Sequence, residues 1–138
     1  MSEKQKVLAL RFFEEADRGR TPLELLAPDF TAYFNGVPPM DSAAFDGFET
    51  AVRAAFSDIH HRIEGVVVQD DDVAVRLIFE GTHTGEFMGV HPAGTRIAVE
   101  GSAFLRIAQD KIATLWGFLD QFSLMQQIGG LPTMSQVG

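Results

Sequence analysis

A chain of 138 residues, 46% apolar and 22% charged, is the size of one ordinary domain and has a globular rather than a disordered balance. Its net charge of −8, with no Lys/Arg cluster, repels a phosphate backbone and so excludes nucleic acid as a partner. The lack of cysteine excludes disulfides, thiolate metal sites and thiol nucleophiles.

No apolar run approaches the length of a membrane span. The opening Met1-Ser2-Glu3-Lys4-Gln5-Lys6 leads into an amphipathic stretch rather than a signal-peptide core, so the cytoplasm is the expected location. No repeat or linker divides residues 1–138, which predicts a single domain. Ser2 with Gln5 forms a capping-box pattern. The first helix is expected over Glu3–Arg18, ending at Gly19, with Leu8, Phe12, Phe13 and Ala16 opposite a polar stripe of Lys4, Arg11, Glu15 and Arg18. Thr21-Pro22 with Glu24 predicts a second, short helix ending before Pro28. Asp29–Asn35 reads as a strand. Asp41 or Ser42 then caps a helix on which Phe45, Phe48, Val52 and Phe56 recur at helical spacing.

The period changes in the second half. His61–Val68 and Val73–His83 read as strands joined at Asp70-Asp71-Asp72, and Arg96–Ile107 and Lys111–Asp120 as a second pair around Gln109-Asp110. A loop marked by Gly85, Gly89, Pro92 and Gly94 separates the pairs. A last helix covers Gln121–Ile128. Helices first and a meander of long strands afterwards indicate an α+β fold. Such strands curling around a helix can enclose a small-molecule cavity, and twelve Phe against one Trp and one Tyr suit an aromatic wall.

Several polar residues are candidates for work in that cavity. Trp116, Phe118 and Asp120 share one side of a strand, so Asp120 is expected to be a desolvated carboxylate fit for general acid/base work, or else the N-cap of the following helix. His83, at a strand end, is either a proton shuttle or a structural histidine. His60 and His61 are adjacent and point to opposite faces, and no carboxylate–histidine cluster has ligand spacing, so no metal is expected. Tyr33 and Asn35 share a face and could hydrogen-bond at the wall. Arg76, mid-strand among apolar neighbours, calls for Glu100, Glu80 or a ligand group as partner. Val99, Leu105, Leu115 and Leu119 are expected to form an apolar face away from the cavity, covered in a homodimer.

Arg76, the run Gly81-Thr82-His83-Thr84-Gly85-Glu86-Phe87-Met88-Gly89-Val90, and Pro92-Ala93-Gly94-Thr95-Arg96 resemble the middle of SnoaL-like polyketide cyclases. Trp116-Gly117-Phe118-Leu119-Asp120 followed by Leu124-Met125-Gln126-Gln127-Ile128-Gly129 is similar to their last strand and helix. The resemblance implies the nuclear transport factor two-like fold, a cone-shaped α+β barrel, usually dimeric. It also implies a cofactor-free cyclase with Asp120 at the acid/base position, acting on a polyketide-like or other hydrophobic carbonyl compound. His83 would be the second catalytic residue, and Tyr33, Asn35, Arg76, Ser102, Phe104, Trp116 and Phe118 would bind substrate. Two departures stand out: the family often has a His near Tyr33, and Phe104 and Arg106 stand where characterised cyclases carry Gln and His. Two alternatives are a non-catalytic binder of a small hydrophobic molecule and an epoxide hydrolase of the same superfold. The latter calls for an Arg-x-Asp on the fourth long strand, which is absent.

Overall fold

The computed structural model describes residues 2–131. Helix α1 (Ser2–Asp17) buries Ala9, Phe12, Phe13 and Ala16, which recur at the spacing of one helical face. It ends at Gly19, whose φ of +87° lets its N–H reach the Ala16 carbonyl at 3.0 Å. The Ser2 side chain lies outside the described residues. The expected second helix is only a 3₁₀ turn, Leu23–Leu25, without a side-chain cap. Glu24 pairs with Arg20 at 2.8 Å instead of closing a capping box.

Strand β1 (Leu26–Phe34) begins earlier than the sequence suggests, because Leu26 and Ala27 are already buried and paired toward the last strand. Strand β2 (Val37–Met40) was not anticipated, since it carries Pro38 and Pro39; proline is tolerated there because β2 is the sheet edge. Helix α2 (Ser42–Ala55) is capped by Asp41, whose carboxylate accepts from Ala44 N–H at 2.9 Å. Strand β3 (Phe56–Gln69) follows without a loop, then β4 (Asp72–His83), β5 (Arg96–Ala108), β6 (Lys111–Leu119) and helix α3 (Gln121–Gln127). Gln109 and Asp110 take positive φ values of 51° and 63°, as a tight primed hairpin turn requires.

The six strands form one sheet in the order β2-β1-β6-β5-β4-β3; β1 and β6 run parallel and every other pair antiparallel. A β-bulge in β3, with Asp58 at φ 55°, increases the local bend. The curved sheet wraps α1 and α2, and its concave side holds the core. The β4–β5 loop is pinned at its base by Gly85. Its N–H donates to the Ala55 carbonyl at 3.0 Å, and a Cβ there would sit 2.1 Å from the Ala54 carbonyl oxygen.

One expectation is reversed. Val99, Leu105 and Leu115 face inward and are at most 7% exposed, and Leu119 lines the interior cavity. The outward face carries Tyr33, Phe104 and Phe118, which are 41–50% exposed, with the Trp116 ring stacked 6.0 Å from Tyr33. In a strand, one step of parity exchanges the two faces completely. Here both faces are apolar, aliphatic inside and aromatic outside, so alternation alone did not tell them apart.

Candidate active site

The concave side of the sheet, α1 and α2 enclose a cavity of about 370 Å³, within the usual range for small-molecule sites. Phe12 and Phe13 of α1, Phe45 and Phe48 of α2, and Phe56, Phe79 and Phe87 supply most of its wall. Among the described residues, Glu49, His61, Ser102 and Gln121 are the polar side chains on the lining.

His61 is held by a residue from another element. Asp17, the last residue of α1, accepts from the His61 backbone N–H at 3.0 and 3.1 Å. Its Oδ1 lies 2.6 Å from His61 Nδ1, and its Oδ2 lies 2.9 Å from His60 Nδ1. Burial alone would push the Asp17 carboxyl up, but the His61 hydrogen bonds and the nearby imidazoles outweigh it and hold the carboxyl below its ordinary value. An ionised carboxylate only accepts, which places a proton on His61 Nδ1 and turns Nε2 to the side of the ring away from Asp17. The ring is wedged between Phe13 at 5.2 Å and Phe79 at 5.5 Å, and the side chain is only 16% exposed. The imidazole is thus held in one orientation within an apolar wall. His60, on the opposite parity, is 57% exposed.

Glu49 lies on the face of α2 shared by Phe45, Phe48 and Val52. It is half-buried and lines the cavity. Burial pushes its carboxyl up, opposed by the weaker attraction of His61 and Arg53, while Asp46 adds to the rise. Gln121 donates to the Asn35 carbonyl at 3.1 Å.

Most of the sequence-derived candidates lie off this cavity, and Arg76, Ser102, Phe118 and Asp120 border one outer depression. Asp120 is exposed, lies outside the cavity lining and caps α3, its Oδ1 accepting from Ser123 N–H at 3.0 Å. The desolvation expected beside Trp116 and Phe118 is absent, because both rings stand on the outer face, where Phe118 is 50% exposed. His83 is fully buried against Phe56 at 5.4 Å, off the cavity lining, and neither ring nitrogen has a hydrogen-bond partner among the described residues. Ser102 and Phe118 touch the cavity edge, but they also border a shallow outer depression with Arg76, Glu100 and Asp120. Arg76 is exposed, not buried, and Glu80 pairs with Arg62 at 3.7 Å. Tyr33, Phe104 and Trp116 belong to the outer face, and Arg106 lies over the Trp116 ring at 5.8 Å. Asn35 uses its Oδ1 to accept from Leu119 N–H at 3.2 Å.

Asp17, His61 and Glu49 were not anticipated as a set. Asp17 lies 44 residues from His61, and Glu49 reads as one more polar position on a helix. The one available signal was a carboxylate on the Phe45–Phe48–Val52 face. Among the described residues, no group of three or more His, Asp or Glu is arranged to hold a metal ion, and no helix is long and apolar enough to cross a membrane.

Solved structures share this fold. AclR from Streptomyces galilaeus, a candidate hydroxylase, is 26% identical with a TM-score of 0.88, over 96% of this chain and 89% of that one. IdmH from Streptomyces antibioticus, a candidate polyketide cyclase, is 26% identical with a TM-score of 0.82, over 91% and 98%. A SnoaL-like polyketide cyclase candidate from Jannaschia sp. CCS1, 22% identical, shares the fold with a TM-score of 0.85 over 95% of both chains. No curated protein matches the chain significantly. The sequence model of the SnoaL-like polyketide cyclases matches residues 7–128. With that match covering most of its length and the nuclear transport factor two-like architecture in place, the chain belongs to the SnoaL-like polyketide cyclase family.

Proposed function

We propose that this chain is a cofactor-independent cyclase or isomerase that moves protons on a polyketide-like or other hydrophobic carbonyl compound, with His61, oriented by Asp17, as its general base. The observation that carries this reading is the 2.6 Å Asp17–His61 contact at the wall of a largely apolar cavity. A positioned base typically contributes about 10²- to 10⁴-fold to proton transfer. The family membership supports the reaction class, and the different names borne by AclR and IdmH are a reason not to take the reaction from the fold. Asp120, the acid/base residue expected from the family, is assigned capping instead. The lining carries no arginine, which weighs against an Asp-Arg-Asp epoxide hydrolase site. We further propose a cytoplasmic homodimer joined through the outward aromatic face around Tyr33, Phe104 and Trp116.

A second reading, a non-catalytic binder of a small hydrophobic molecule, draws on one observation: Asp120 is exposed and engaged in capping. The apolar ketone 2-tetralone separates the two readings. An enzyme accelerates exchange of its α-protons in D₂O, followed by NMR, and the competitor 2-naphthol suppresses that acceleration. Saturable binding of both compounds with no exchange above the buffer rate would favour the binder.

A further inference from the structure

We propose that Glu49 is the proton donor of this site, giving a hydrogen bond and then a proton to the carbonyl oxygen of the ligand whose α-carbon faces His61. The inference rests on the acid–base reading above and assigns the second half of its chemistry.

A base alone leaves the negative charge of an enolate on oxygen, in a cavity where no lysine or arginine lines the wall to meet it. Charge developing in such surroundings is costly unless a donor waits for it. Serine and glutamine are weak candidates. Ser102 also borders the outer depression, and Gln121 is tied by one of its two N–H groups to the Asn35 carbonyl; neither carries an acidic proton to transfer. Glu49 is different. Its carboxyl makes no hydrogen bond or ion pair among the described residues, yet it sits on the α2 face that Phe45, Phe48 and Val52 turn into the cavity. The cation nearest in sequence, Arg53, donates instead to the Thr21 hydroxyl at 3.2 Å and the Thr50 hydroxyl at 3.3 Å. A carboxyl group left without a partner in an aromatic wall has a place for a ligand's polar atom. Burial also favours its protonated form, the form that can donate.

The step balances within the site. His61 Nε2 takes a proton from the α-carbon, the C–H electron pair becomes the C=C bond, and the carbonyl π pair takes the Glu49 proton, leaving an enol, an imidazolium and a carboxylate. In ring closure the enol carbon attacks a second carbonyl of the same molecule. The imidazolium protonates the new alkoxide, and Glu49 regains its proton from the enol hydroxyl as that C=O re-forms. Asp46 near Glu49, and Asp17 beside His61, are the other carboxylates on this circuit. The same arrangement predicts a preference for uncharged ligands at this wall, where a ligand carboxylate would meet Glu49 and no lysine or arginine among the described lining residues.

The test uses 2-tetralone labelled with ¹³C at the carbonyl and the Glu49→Gln and Glu49→Leu variants, all as full-length protein. On binding, the carbonyl resonance should move downfield of its position in an apolar solvent. Glu49→Gln, whose amide still donates, should keep part of that shift, and Glu49→Leu should lose it. The α-proton exchange rate should fall at least tenfold in both, since neither carries a transferable proton. A shift that is the same in all three proteins, or exchange unchanged in both variants, overturns the assignment. Exchange that depends on His61 while ignoring Glu49 would sink this inference and leave the base standing. A Glu49-dependent shift with no exchange in any protein would instead support the hydrogen bond and sink the enzyme reading. Failure of 2-tetralone to bind at millimolar concentration would contradict both.

Discussion

Replacing Asp17 by Asn tests the oriented base without touching the cavity wall. The carboxylate accepts from two imidazoles, at 2.6 and 2.9 Å, and from the His61 backbone N–H. Asn is nearly isosteric and can keep the backbone contact through its oxygen. It cannot hold both Nδ1–H groups, and its own N–H₂ favours the tautomer that places the lone pair on Nδ1. A hydrogen bond to a charged group is worth about 1.5–3 kcal/mol. If that preference is lost from the reactive arrangement of His61, at about 1.36 kcal/mol per tenfold, kcat/KM should fall roughly 10- to 160-fold. The assay is 2-tetralone exchange at neutral pH, with affinity for 2-naphthol, which needs no base, changed less than threefold. The same carboxyl also predicts a stability profile. Its folded-state value is lowered from 3.8, so its contribution is complete above that value and is lost as pH falls through the folded value. The Asp17→Asn variant should therefore be less stable than the parent at neutral pH, and the gap should close in acid. Exchange within twofold of the parent would refute the reasoning.

Glu49→Gln should behave in the opposite sense. Its carboxyl is pushed above 4.5 by burial, so the parent loses stability as pH rises from 4.5 through the folded value. The variant should have the higher thermal midpoint at neutral pH, with the two converging at pH 4 by calorimetry; a lower midpoint at neutral pH would contradict the burial argument. Gly85→Ala forces a Cβ to within 2.1 Å of a backbone oxygen, so the β4–β5 loop must shift at a cost of about 1–3 kcal/mol, read as a reduced denaturation midpoint in urea. Phe104→Asp, on the outward aromatic face, should yield a folded monomer by analytical ultracentrifugation where the parent sediments as a dimer; a monomeric parent at micromolar concentration would exclude the proposed pairing.

The fold was legible because local chemistry and global pattern agree. The Phe12/Phe13 face of α1, the Asp41 cap of α2, the paired residues Gln109 and Asp110 at a hairpin and the glycines closing α1 and α3 each act over a few residues. Where the reading failed, the cause was non-local. Pro38 and Pro39 hid an edge strand, and Thr21-Pro22 promised a helix that the burial of Leu26 and Ala27 turned into a strand. The face inversion matters most for function. It carried Trp116, Phe118 and Tyr33 from the cavity to the outside, and with them the case for Asp120 as a desolvated acid. The proposed trio of Asp17, Glu49 and His61 comes from α1, α2 and β3, three elements that meet only when the sheet curls. Spacing along the chain holds no record of that meeting. The resemblance located the family and the architecture, but a motif at the end of β6 was a poor guide to which carboxylate lies inside.

The account turns on which acidic and basic groups move protons in the cavity, and paired variants assayed side by side decide it. His61→Gln and Asp120→Asn both preserve shape, and Asn keeps the α3 cap. With 2-tetralone as probe, His61→Gln should bring α-proton exchange down to near the buffer rate, while Asp120→Asn should stay within about twofold of the parent. Exchange that survives in His61→Gln and disappears in Asp120→Asn would contradict the account and return the chemistry to the end of β6.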